Sequence, residues 1–279
     1  MLVIVRGGGD IATGIIWSLY TSGFKVLVLE VEKPSAIRRS VSFSECVYKN
    51  TQTVEGIKSR LVKTKHEIER CWNNKEIPVV IDSVGNWIKK LSPQIVVDAI
   101  LAKKNIGTSK NMAEITIGLG PGFIAGKDVD IVIETMRGHN LGRIIFSGEA
   151  LKNTGVPGEI SGISKERVIY SDISGVFNGT REIGDKVKKS EVIGTIGDRP
   201  VLAEISGVLR GIIPTGYNVK EKFKIADIDP RESELENCFC ISDKARSLGG
   251  AVVIAIMSEL KKRGELNGFW NIGKSNGKK

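Results

Sequence analysis

The chain has 279 residues, 41% of them hydrophobic and 26% charged, with a formal net charge of +9. That length suits two or three domains, and the apolar share excludes a chain that is disordered over most of its length. No run reaches the roughly 18–20 unbroken apolar residues that a membrane span needs, so no membrane association is expected.

The charge invites a nucleic-acid reading, but its location argues against one. Residues 261–279 carry six bases against Glu265, which concentrates +5 in the last 19 positions and leaves +4 for the rest. Aromatic content is 6%, little for base stacking, and no nucleic-acid module is recognisable. The stretch 264–279 is expected to be a flexible basic tail. The N-terminus, Met1 to Leu19, is apolar enough for a signal peptide. However, Gly7-Gly8-Gly9-Asp10 interrupts it and no Ala-x-Ala-like site follows, so a cytoplasmic protein is expected. Four cysteines (Cys46, Cys71, Cys238, Cys240) and two histidines offer no ligand set for zinc, and reduced, unpaired thiols are expected.

Leu2 to Val5 reads as a strand buried on both faces, Arg6 to Asp10 as a turn, and Ile11 to Thr21 as a helix with one apolar face. After Gly23, Phe24 to Glu30 reads as a second strand. The first turn of this βαβ unit carries Gly7-x-Gly9-x-x-Ala12, with Gly8 and Asp10 between. Such glycines allow a tight turn and close approach of the backbone to a pyrophosphate at the helix N-terminus. Glu30, at the end of the second strand, is placed to hold ribose hydroxyls, and Arg38 and Arg39 could take a 2′-phosphate. The expected ligand is therefore NAD(P) or another nucleotide, with NAD and NADP left open. Asp10 could cap the helix but would repel a pyrophosphate, and a domain of this kind that has lost its cofactor is the alternative reading.

Lys65 to Asn74 reads as a helix, and Ile77 to Asp82 and Ile95 to Asp98 as strands that end in carboxylates, either at a ligand edge or as helix caps. These elements make up a Rossmann-like domain over 1–108. A second α/β segment is expected over 109–168. There Gly118, Gly120 and Gly122, together with Arg137, His139 and Arg143, suggest a second anion site for phosphate or carboxylate. The same residues also suit a solvated loop with structural glycines.

From residue 169 to 230 the chain repeats at a spacing of 32. Ile173-Ser174-Gly175-Val176 recurs as Ile205-Ser206-Gly207-Val208, and Ile193-Gly194-Thr195-Ile196 as Ile225-Ala226-Asp227-Ile228. This segment resembles the biotinyl/lipoyl barrel-sandwich family. Its carriers bear the cofactor on a lysine of the hairpin that here is Gly197-Asp198-Arg199-Pro200, and no lysine lies between Lys189 and Lys220. The resemblance thus implies an unmodified structural or docking module. Ser242-Asp243 caps a final helix over 244–263, expected to pack on the α/β part as residues 231–263. The fold class is α/β, with a Rossmann-like parallel sheet, an all-β barrel-sandwich domain and a final helix.

Taken together, Gly7 to Gly14, Ile37-Arg38-Arg39, Val97 to Asn105, Gly118 to Phe123 and Arg137-Gly138-His139 resemble one family, the accessory proteins of the selenium-dependent molybdenum hydroxylase system. The opening glycines are also similar to the Rossmann part of xanthine dehydrogenase accessory proteins. The likeness runs from Met1 to about Arg263. It implies a maturation factor whose partners are a molybdenum hydroxylase or its maturation proteins, with a molybdopterin-type cofactor as cargo. The alternative is an NAD(P)-dependent oxidoreductase of a small substrate, for which only His139, Asp82 and Asp98 offer proton transfer. Whether any reaction is catalysed is left open, as is the oligomeric state, a homo-oligomer included.

Overall fold

The structure, a computed structural model, describes residues 1–155 and 162–268. Of the expected basic tail, 269–279 lie outside the described residues, and 265–268 form a single 3-10 turn. The first part of the chain runs β1 (Leu2–Arg6), α1 (Asp10–Thr21), β2 (Lys25–Glu30), α2 (Cys46–Lys49), β3 (Thr51–Val54), β4 (Ile57–Leu61) and α3 (Lys65–Asn73). It continues with β5 (Ile77–Ile81), α4 (Asn86–Leu91), β6 (Ile95–Asp98), β7 (Ile115–Leu119), β8 (Ile124–Ala125), β9 (Ile131–Ile133), β10 (Ile144–Ile145) and β11 (Gly148–Glu149).

Nine of these strands form one sheet in the order β10-β9-β7-β6-β1-β2-β5-β4-β3, parallel except at its two edge pairs. Within the 109–168 segment β7, β9 and β10 extend this sheet, while β8 and β11 pair with each other apart from it. Its central strands are apolar on both sides because both faces are covered. Val3, Val5, Val26 and Val28 face one core, while Ile4, Leu27 and Leu29 face the other, beside Ile68 and Ile88 of α3 and α4. From β1 the chain passes to β2, crosses to the edge at β3 and works back inward through β4 to β5, then moves to the other side of β1 to lay down β6. The order therefore reverses between β1 and β6, and their carboxyl ends frame a crevice.

The later chain supplies β12 (Val168–Tyr170), β13 (Gly175–Gly179), β14 (Lys186–Val187), β15 (Val192–Ile196), β16 (Arg199–Leu202), β17 (Gly207–Ile212), β18 (Asn218–Val219) and β19 (Lys224–Asp229). They make two antiparallel sheets, β12-β19-β17-β14 and β16-β15-β13-β18, around one core that includes Phe177, Ile193, Leu209 and Ile225. A shift of 32 residues carries each sheet onto the other. The halves interlock, since β14 pairs with β17 of the second copy and β18 with β13 of the first. The chain then returns to the nine-stranded sheet as α5 (Asp243–Lys262), which runs alongside α1. The α/β body is thus interrupted by the β module. Hydrogen bonds join the two parts at the 37–40 segment, where Ile212 N–H donates to Ile37 O and the Arg39 side chain donates by Nε to Ile212 O. No helix of the described residues is long and apolar enough to cross a membrane.

Candidate functional site

The first turn after β1 is built from backbone. Gly7 sits at φ +93°, where a Cβ would stand 3.1 Å from the carbonyl oxygen of Ala99, and its N–H donates to Leu29 O. Only glycine suits both demands. Gly8 N–H donates to Glu30 Oε1 at 2.5 Å, and Val31 N–H to Glu30 Oε2 at 2.9 Å. Burial pushes the Glu30 carboxyl above its ordinary range, and these two amides pull it back down in part. Gly9 is the N-cap of α1, at φ −65°, and open space surrounds its Cβ position. Thr13 N–H donates to Gly9 O, so Asp10, Ile11 and Ala12 hold the first free N–H groups of the helix, with no acceptor among the described residues.

These three residues line a cavity of about 460 Å³ at the carboxyl ends of β1 and β6, with Glu30, Pro34, Asp82 and Ile100 on its walls. Asp82 also accepts from Gly85 N–H and Trp87 N–H, holding the turn into α4. Asp98 is 2% exposed and turned inward, where it faces Arg6 at 3.6 Å and accepts from Thr108 Oγ1.

Asp10 also lines a second cavity, of about 690 Å³, where the α/β body, the β module and the start of α5 meet. Arg38 lies there, with its Nη1 3.6 Å from Asp10 and its Nη2 donating to Asn237 O and Cys240 O. Arg39 instead reaches Ile212 O, Glu45 and Glu182 and ties the two parts of the chain together. Arg137 also borders this cavity and grips Asp243 by two bonds of 2.8 and 3.0 Å, which hold that carboxyl down to about 2. From the β module come Arg167, Arg210, Lys224 and Asp227, none of which sequence reasoning singled out. A signal was present in the repeat. Where the second copy has Arg210, Lys224, Asp227 and Asp229, the first copy has Asn178, Val192, Thr195 and Gly197.

The residues expected to form one second anion site are not gathered. Arg137 borders the 690 Å³ cavity, and Arg143 borders a different one of about 410 Å³. His139 is exposed on the loop between them. The three glycines line neither cavity. A Cβ would stand 2.5 Å from the Phe123 ring at Gly118, 2.6 Å from Thr135 Oγ1 at Gly120 and 2.4 Å from Lys104 Cα at Gly122. Their density reflects close packing at the end of β7 and in the loop after it. Cys46, Cys71 and Cys238 are buried and Cys240 is exposed, all four free, and burial pushes the Cys46 thiol up to about 12. Among the described residues, no group of three or more His, Cys, Asp or Glu is placed to hold a metal ion.

No protein-family model matches the chain. The chain is 47% identical over 256 residues to the uncharacterized protein YqeB of Escherichia coli strain K12, covering 92% of this chain and 47% of that protein. The chain therefore spans about half the length of the curated relative it matches. Among solved structures, the ectoine utilization protein EutE (DoeB) of Ruegeria pomeroyi aligns at 10% identity over 81% of this chain and 84% of that one, with a TM-score of 0.26. An aspartoacylase family protein of Mesorhizobium loti aligns over the same shares with the same identity and score. Alignments this loose carry neither fold nor chemistry across. These findings correct the resemblance drawn from the sequence. No family model matches and the curated relative is uncharacterized, so nothing in the comparisons supports that family, and membership of it and the selenium-dependent maturation role are withdrawn. The alternative of an NAD(P)-dependent oxidoreductase is withdrawn with them.

Proposed function

We propose that the chain binds a nucleotide in the cavity at the carboxyl ends of β1 and β6, with a phosphate against the first turn of α1. The observation that carries this reading is the trio of free N–H groups at Asp10, Ile11 and Ala12, beside a Gly9 with open space at its Cβ. Free donors at the positive end of a helix favour an anion. The sheet reverses its order at this point, the Rossmann-like arrangement in which such ligands lie. Glu30 has lone pairs left after accepting two amides, enough to accept from ribose hydroxyls. The Asp10 carboxylate opposes a phosphate, and Arg38 at 3.6 Å offsets it in part. On this reading the β module, of barrel-sandwich type, is an unmodified lid or docking piece beside the ligand.

The test is calorimetric titration with NAD, NADP, FAD and ATP. Gly9 has a backbone geometry that any residue adopts, so Gly9→Val should fold normally while its side chain blocks backbone approach. At least one of the four should bind the wild type, and Gly9→Val should weaken that binding by about tenfold or more, the loss of one charge-assisted contact. If the wild type binds none of them, the reading fails.

A further inference from the structure

We propose that the cavity between the α/β body and the β module is a second ligand site, built for a small molecule carrying a phosphate group. It adjoins the nucleotide cavity, with Asp10 bordering both, and the inference does not rest on the nucleotide reading.

Six basic and five acidic side chains line this cavity, and the acids are already engaged. Asp243 is held by Arg137 and Asp229 by Arg231, while Asp227 accepts from Arg210 and lies in ion-pair range of Arg167, its Oδ1 making no hydrogen bond. Lys224 is left over. Its side chain has no hydrogen bond or ion pair among the described residues and is exposed through the cavity, while its backbone pairs with Tyr170 of β12. Enough protein crowds it that desolvation lowers its pKa, with Asp227 and Asp10 pulling it back up in part.

The arginines are under-used as well. Arg38 and Arg167 are 4% and 6% exposed, and Nε of each lacks an acceptor. A guanidinium has five N–H donors, so buried arginines with idle donors are costly unless something else accepts from them.

Backbone adds to the field. Gly14 of α1 lies against Ala245 of α5, and Gly249 of α5 against Ser18 of α1, so the two helices run parallel. Both begin at this cavity, at Asp10 and at Ser242-Asp243, and bring two positive helix ends to one place. Donors from three directions suit the tetrahedral oxygens of a phosphate, and the net single positive charge of the lining leaves room for an anion. Four of these charges, Arg210, Lys224, Asp227 and Asp229, appear in only one copy of the 32-residue repeat. A purely structural two-fold module has no need of that asymmetry.

The experiment is titration of the full chain with inorganic phosphate at constant ionic strength. One saturable site should survive Gly9→Val with its affinity within about twofold. Lys224→Gln and Arg210→Gln should each weaken it about tenfold or more. The Lys224 side chain has no partner to lose, so its variant should melt like the wild type and report binding alone. Cys240 is exposed and borders the cavity, so phosphate should also slow its alkylation. The proposal is overturned if wild type binds no phosphate, if Lys224→Gln binds it as tightly, or if Gly9→Val abolishes the binding.

Discussion

Glu76 shows what one well-placed partner does to a carboxylate in this chain. Arg60 donates to it by Nε at 2.6 Å and by Nη2 at 2.9 Å, and Lys58 stands 3.2 Å away. The Arg60 bonds hold the Glu76 carboxyl down to about 2 from an ordinary 4.5. A depressed value means the folded chain prefers the ion, so this stabilisation is full above 4.5 and is lost as pH falls toward 2. Thermal melting across that window should show the wild type losing stability more steeply than Glu76→Gln. Equal slopes would mean the pair contributes nothing. At this scale the sequence was informative only where chemistry is local. That Gly7, Gly9 and Glu30 gather around one turn was legible because the turn and the end of the next strand place them within 25 residues of one another. Arg167, Arg210 and Lys224 were not, because only the docking of the β module brings them to Asp10 and Arg38.

Helices α1 and α5 touch so closely that two glycines decide the contact. A Cβ at Gly14 would stand 2.6 Å from the backbone of Ala245, whereas one at Gly250 would meet nothing within 4 Å. Alanine has the better helix propensity by about 1 kcal/mol, and overpacking costs about 1–3 kcal/mol. Gly250→Ala should therefore raise stability by up to about 1 kcal/mol, and Gly14→Ala should lower it, both read by urea denaturation. A stabilised Gly14→Ala would show that the helices can separate without cost. The elements themselves were legible from apolar runs bounded by glycine, and the observed β1, α1, β2, α3, β5, β6 and α5 lie within a residue or two of their expected spans. The glycines at the end of β7 and in the loop after it were misleading. Composition could not tell donors turned toward an anion from room made for Phe123, Thr135 and Lys104.

Across the whole molecule, the overall charge directed attention to the tail. A group of six bases lies instead at the junction of body and module, masked in the sequence by aspartates spread through the same strands. The interruption of the α/β body has its own test. The apolar side of α1, including Ile15 and Leu19, shares a core with Leu248, Val252 and Ile256 of α5. A chain stopped after Glu236 should expose that side, bind a hydrophobic dye and lose cooperative melting. A normal melt would show that the body is complete without α5.

The same interruption imposes an order on synthesis. The strands of the body emerge first from the ribosome, followed by all of β12 to β19, and only then by the helix that completes the first core. The interlocked β module can close on itself while the earlier sheet still lacks α5. A newborn chain thus spends about 100 residues of elongation, several seconds at typical rates, with a sticky half-built sheet tethered to a finished module. The arginine-lined junction can form only at the end of that interval, so any ligand that fills it would meet only chains whose last helix is in place.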